Sequence, residues 1–496
     1  MLNRRNFLRN FGLIGAAFTL PDVAQSNPFI TKKSTDLAQL VLKGRVHNDG
    51  RGISGVAVTD GTNVTTTNKN GSFELISNNT AAFVYISIPA GYSFPTNQGS
   101  TKFYTPITKK EGVFQTEFNL QKLEVDDRKH NFVIWADTQI ISEADANLLK
   151  VESAPDLRNL VASYPRGSLF HGIGCGDLVW DKFELFDEYK DALQIAGIPF
   201  FNVIGNHDMD IDARTDDYSD KTFKQQFGPT YYSFNRGEIH YVVLDDVFFI
   251  GTAKRYIGYI TENQLNWLEQ DLALVKPGST IVVSLHIPVE TGAARRNQQD
   301  ESLGGTVSNR KQLYNLLEPF NAHIMSGHTH VNEKMLSEKI TGHIHGTVCG
   351  AWWTGPICSD GTPNGYGVYE VDGSDISWYY KSTGNPRDHQ IRVYSKGRAK
   401  DAPEEIVANV WNWDPKWKVE WYEDGTLKGE MEQRVGLDPW SVELLTGNQL
   451  PQKHKWVEPT RTDHLFYGRP SSGAREILVK ATDRFGNVYT DSVKLG

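Results

Sequence analysis

Six apolar runs of strand length recur between residues 131 and 330, and each breaks off at a carboxylate, an amide or an imidazole. They read NFVIWAD, FHGIGCGD, FFNVIGNHD, HYVVLDD, TIVVSLH and HIMSGHTH. Continuous rather than alternating hydrophobicity means burial on both faces, which only a sheet sandwiched between other layers provides. Helical periodicity lies between the runs, as in TENQLNWLEQDLALV, which opens on an expected capping box of Thr261 with Gln264. The expectation is an α/β domain over residues 128–384. In open α/β sheets the carboxyl ends of the strands form the ligand edge, so polar residues far apart in sequence are expected to converge there.

A chain of 496 residues is too long for one ordinary core. Residues 38–123 alternate short β-branched runs with Gly, Asn and Asp turns, which predicts a small antiparallel β-sandwich. Residues 385–496 return to that texture and predict a second one. There Trp411, Trp413, Trp417 and Trp421 are spaced as one packed core face, with a sugar-stacking surface for cell-envelope glycan as the competing reading. A net charge of −9 gives no broad basic footprint, so no nucleic-acid partner is implied. Cys175, Cys349 and Cys358 are odd in number and scattered; they suggest no disulfide framework and read as small buried residues. The first 26 residues pair Arg4 and Arg5 with Phe7 and Leu8, then run apolar to Leu20 and small near Ala24. This resembles a bacterial twin-arginine export signal, with an apolar stretch too short to span a bilayer, and it predicts a periplasmic or cell-surface protein without a transmembrane segment.

The strand ends carry Asp137-Thr138-Gln139, Gly176-Asp177, Gly205-Asn206-His207-Asp208, His286 and Gly327-His328-Thr329-His330. Carboxylate, amide oxygen and imidazole are the donors that borderline divalent ions take. In order, spacing and context these motifs resemble the calcineurin-like metallophosphoesterases, whose signature is D-x-H, G-D, G-N-H-D/E, H and G-H-x-H. The resemblance spans the middle half of the chain and implies a four-layer α/β/β/α domain that hydrolyses phosphate mono- or diesters with a hydroxide bridging two metal ions. It also implies roles: Asp137, Gln139 and His330 on the first ion, Asn206, His286 and His328 on the second, and Asp177 bridging both. His207 would serve the leaving group. Gly205 and Gly327 are expected to permit tight turns. The N-terminal sandwich resembles a transthyretin-like module through Gly44, Gly52, Gly55, Asp60, Gly71 and Phe73.

Two positions depart from the pattern. Gln139 stands where the first motif has histidine, and a neutral amide oxygen biases that site away from zinc toward manganese, magnesium or iron. Trp180 stands where purple acid phosphatases place a tyrosinate ligand, so tyrosinate coordination is not expected. The loop from Cys349 to Gly367 brings Trp352, Trp353 and Tyr366, which either wall a substrate pocket or pack into the core. His343 and His345 share one face of a strand, and the acidic stretch from Asp208 to Asp220 reads as a solvated loop. The substrate expected is a phosphorylated small molecule or a phosphodiester. The rival readings are a nucleotide-linked pyrophosphatase, which the D-x-Q form suggests, and a catalytically dead glycan-binding surface protein.

Overall fold

The computed structural model describes residues 40–78, 80–251, 255–296, 302–447 and 453–495. The signal read in residues 1–26 lies outside the described residues. Among the described residues no helix is long and apolar enough to cross a membrane.

All six apolar runs are strands, and they divide between two sheets. The first sheet runs in the order Asp375–Ser382, Gly365–Asp372, Lys129–Trp135, Phe170–Cys175, Phe200–Val203, Ser100–Thr101 and Thr96–Asn97. The second runs Tyr232–Arg236, Ile239–Val243, Thr280–Ser284, Asn321–Ser326, Ile340–Ile344 and Glu333–Leu336. The strands at the centre of each sheet are parallel. Side-chain alternation then assigns each strand to two cores. Phe132, Ile134, Ile173 and Phe201 meet Tyr241, Val243, Val282 and Met325 in a core between the sheets. The opposite faces of the same strands, Val133 and Trp135 in one sheet and Val242 and Val283 in the other, lie under helices. Ala154–Ser163 and Phe186–Ala196 cover the first sheet, while Glu262–Leu272 and Arg310–Leu317 cover the second. The result is the helix, sheet, sheet, helix order expected.

The capping box is not formed. Thr261 is the N-cap residue but accepts no backbone N–H through its side chain. Gln264 instead bonds both backbone groups of Asp245, donating from Nε2 to O at 2.8 Å and accepting N–H at Oε1 at 3.0 Å. The side chain that would have closed the helix is drawn off to pin the end of Ile239–Val243 beside the ligand edge.

Flanking β-rich regions complete the fold. The N-terminal one pairs Leu40–Asn48 with Gly112–Asn119 and Ser72–Ser77, opposite a sheet built on Ala57–Thr59 and Phe83–Ile86. It shares the core between the central sheets: Phe94 meets Phe201 and Phe234 edge to face at 4.9 and 5.4 Å, and Phe103 meets Tyr232 at 4.4 Å. The C-terminal region stacks two four-stranded sheets over Ile406, Trp421, Phe466 and Val479. Trp421 is buried in that cluster with Trp413 and Trp417 packed against it, while Trp411 is fully buried outside it against His389, so the four tryptophans are packed but do not share one face. Cys175, Cys349 and Cys358 are free and buried.

Candidate metal centre

Every expected ligand follows the carboxyl end of a strand, and the backbone there is unusual. Of twelve non-glycine residues with positive φ among the described residues, five are Asp137, Gln139, Asp177, His328 and His330. A left-handed conformation costs an ordinary residue roughly 1–2 kcal/mol, so it persists only where the surroundings impose it. Close packing imposes it here. A Cβ on Gly205 would lie 2.0 Å from Asp177 N, and one on Gly327 would lie 2.3 Å from Asp137 Oδ2. The two glycines are thus needed for close approach, whereas the turns themselves are taken by the ligand residues, a correction to their expected role.

The donor atoms converge. Asp177, His286 and His328 present ligand atoms within 4.8 Å of one another. His286 Nε2 lies 3.1 Å from Asn206 Oδ1, 3.3 Å from Asp177 Oδ1 and 3.1 Å from His328 Nδ1. Around the other lobe, His330 Nε2 lies 3.5 Å from Asp137 Oδ1, and Gln139 Nε2 donates to Asp177 Oδ2 at 3.2 Å.

The outer nitrogens fix the tautomers. His286 Nδ1 donates to Cys175 O at 3.0 Å, His330 Nδ1 to Gly350 O at 2.9 Å, and His328 Nε2 to Gly304 O at 3.0 Å. A carbonyl only accepts, so each of these nitrogens carries hydrogen and the neutral ring turns a lone pair inward. His286 Nε2 therefore faces a ring nitrogen, a carboxylate oxygen and an amide oxygen, all acceptors. Gln139 Oε1 is buried with no hydrogen-bond partner. A buried carbonyl left unbonded costs about 1–3 kcal/mol, and acceptors gathered around one point repel unless a cation lies between them. Left to protons, the cage draws one: burial works to lower His286, but the charge of Asp177 outweighs it and holds the imidazole up at about 10. The residues present thus fit divalent ions.

Several buried acids hold the donors without touching the cage. Asp208 is fully buried and accepts from the backbone of Leu178, Val179 and Gly205 at 3.1, 3.1 and 2.9 Å. It is therefore no part of a solvated acidic loop, a correction to the reading of Asp208 to Asp220. Asp246 likewise accepts from His286 N and Ile287 N at 3.1 and 3.2 Å. Its signal was present in the sequence, since HYVVLDD ends in carboxylates as the ligand motifs do. His207 lies outside the cage; its N–H donates to Asp177 Oδ1 at 2.9 Å and its Nδ1 pairs with Asp181 Oδ1 at 3.1 Å.

The aromatic loop divides. Trp352 stacks on His330, ring centres 4.1 Å apart and 19° from parallel. Trp353 donates from Nε1 to Thr138 O at 3.0 Å, so it props the Asp137–Gln139 turn. Tyr366 is fully buried with its hydroxyl on Asp156 at 2.7 Å, which corrects the expectation that it walls a pocket. His343 and His345 are buried in the second sheet, where His345 bonds Ser326 O and the Tyr369 hydroxyl at 2.8 and 2.7 Å.

These layers and this donor set make a two-sheet α/β domain with a site for divalent ions at the carboxyl ends of its strands. Comparison with protein families matches residues 40–123 to the N terminal of Calcineurin-like phosphoesterase, 130–332 to Calcineurin-like phosphoesterase and 342–489 to the C terminal of Calcineurin-like phosphoesterase. The chain belongs to the calcineurin-like phosphoesterases. Among solved structures it is similar to purple acid phosphatase PPD1 from yellow lupin (Lupinus luteus) seeds, at 14% identity over 64% of this chain and 56% of that one, with a TM-score of 0.36. A 5'-nucleotidase from Candida albicans is similar at 15% identity over 52% of this chain and 51% of that one, with a TM-score of 0.32. The chain thus spans little more than half the length of either protein. Comparison with curated protein sequences gives no match.

Proposed function

We propose that this protein hydrolyses a phosphate mono- or diester with two divalent ions, and that its N-terminal signal with Arg4 and Arg5 exports it. Asp137, Gln139 and His330 would hold one ion, Asn206, His286 and His328 the other, and Asp177 would serve both. The observation that carries the reading is the convergence of a ring nitrogen, a carboxylate oxygen and an amide oxygen on His286 Nε2, together with the buried, unbonded Gln139 Oε1. Ions bound there supply positive charge to the phosphate oxygens and acidify water into a usable nucleophile near neutral pH.

The chain's own residues do the rest. The outer carbonyls of Cys175, Gly304 and Gly350 hold three imidazoles in the tautomer that coordinates. Burial works to lower the pKa of His207, but the charge of Asp177 and the hydrogen bond and charge of Asp181 outweigh it and raise it, which favours the protonated ring. Its Nδ1 is engaged by Asp181, which leaves Nε2 to deliver a proton to the departing oxygen.

Chelation should abolish hydrolysis of a panel of phosphate esters, and manganese should restore it. Asp177→Asn should lose activity and at least one equivalent of metal. Full activity of the Asn variant after exhaustive chelation would defeat the two-ion reading.

A further inference from the structure

Beside His207 stands a group of rings drawn from three distant stretches of chain. Trp180 follows the Asp177 turn, Trp352 follows the last ligand motif, and His454 with Trp456 comes from the C-terminal region. Trp180 lies 5.4 Å from His207 and 5.1 Å from His454, ring centre to ring centre. Trp352 lies 4.8 Å from Trp456 and 6.4 Å from Trp180. Trp180 and Trp456 meet nearly at right angles, 85° apart at 6.2 Å. The group is therefore a corner of ring faces and edges with one side against the leaving-group imidazole.

Packing alone does not account for the corner. Trp456 remains 57% exposed, and a core arrangement would have covered it. The backbone is also held left-handed at Trp352 and His454, with φ of 54° and 51°. The ammonium of Lys453 is hydrogen-bonded to the carboxylate of Asp145. Asp145 in turn accepts the N–H of Ile141, two residues beyond Gln139. The segment that carries the exposed ring is thus tied at Lys453 to the turn that carries the first ligands, which lowers the entropic cost of ordering that segment around a ligand.

We propose that Trp180, Trp352, His454 and Trp456 form a subsite for the leaving group, selecting phosphate esters whose alcohol carries a flat aromatic ring. This deepens the function proposed above and rests on it for the placement of phosphate. Ring stacking on a tryptophan face discriminates by shape and π surface, and a short alkyl group makes no equivalent contact.

The test is equilibrium binding of benzylphosphonate and methylphosphonate to the manganese-loaded protein, since neither can be hydrolysed. The parent should bind the benzyl compound at least about tenfold tighter, or about 1.4 kcal/mol. In Trp456→Ala the ratio should fall toward one with metal content retained, and in Trp456→Phe most of it should return. A ratio near one in the parent, or an undiminished ratio in Trp456→Ala, overturns the subsite. Hydrolysis of benzyl and ethyl phosphate by the parent separates the two readings. Preferential binding without turnover of either ester leaves the subsite standing and removes the hydrolytic assignment.

Discussion

Asp208 touches no expected ligand atom, yet its replacement should damage both folding and metal binding. Its two carboxylate oxygens accept three backbone N–H groups, from Leu178, Val179 and Gly205, and thereby tie the turn after Asp177 to the turn carrying Asn206 and His207. The side chain is fully buried, so no solvent stands ready to take over those bonds. Asp208→Ala leaves three buried donors unbonded, at about 1 kcal/mol or more each, and a loss of about 3 kcal/mol is expected after relaxation. Asp208→Asn keeps one acceptor oxygen but turns an NH₂ toward a donor, so it should lose about half as much. Burial, aided by the charge of Asp177, holds the Asp208 carboxyl up at about 7, and the comparison therefore belongs at pH 8, where the carboxylate is ionised. The assay is urea unfolding of the chelated proteins at that pH, read as the shift in midpoint at a shared slope. Manganese affinity measured in parallel should drop about 10- to 100-fold, as for other groups that orient ligands. Should Asp208→Ala unfold with the parent's midpoint and bind manganese equally well, the carboxylate does not hold the two turns together.

Two further perturbations address the histidines. His207→Ala should retain both equivalents of metal yet lose about 10²- to 10⁴-fold in rate on alkyl phosphates and much less on nitrophenyl phosphate, whose leaving group needs no proton; an unchanged dependence on leaving-group acidity would remove the acid role. Burial drives His130 down to about 4 and His345 to about 3, so both are neutral in the folded chain. Unfolded histidines take protons near 6.5, so their contribution to stability is complete above that pH and drains as pH falls toward 4, by about 2 kcal/mol each at pH 5. The chelated protein should therefore unfold at lower temperature at pH 5 than at pH 7, and His345→Gln should flatten that dependence. An equal slope in the variant would show that His345 is not what titrates.

The layered core was legible because a strand buried on both faces leaves a continuous apolar run, and the donors were legible because each run stops at one. What holds the donors was less visible. Asp208 and Asp246 look in sequence like any acidic residue near a turn, and only their burial against backbone N–H groups distinguishes them. Tyr366 was left open between pocket wall and core because an aromatic residue in a Gly- and Pro-rich stretch suggests a surface loop, whereas it lies within the strand Gly365–Asp372 of the first sheet. His454 and Trp456 carried no local signal: they lie more than a hundred residues beyond the last ligand motif, and no periodicity links them to it.

The sequence also draws a border near residue 123 that the interior does not respect. Ser100–Thr101 adds to the first sheet beside Phe200, and Phe94 and Phe103 fill the space between the central sheets. A catalytic fragment starting at residue 128 would open a raw sheet edge and bare a wall of aromatic carbon, so it should collect as aggregate when expressed alone. The N-terminal region is accordingly less a passenger than a fourth side of the same box. Swapping it for another sandwich would demand matching aromatic shapes inside the partner, so the two stretches are expected to change together when such proteins diverge.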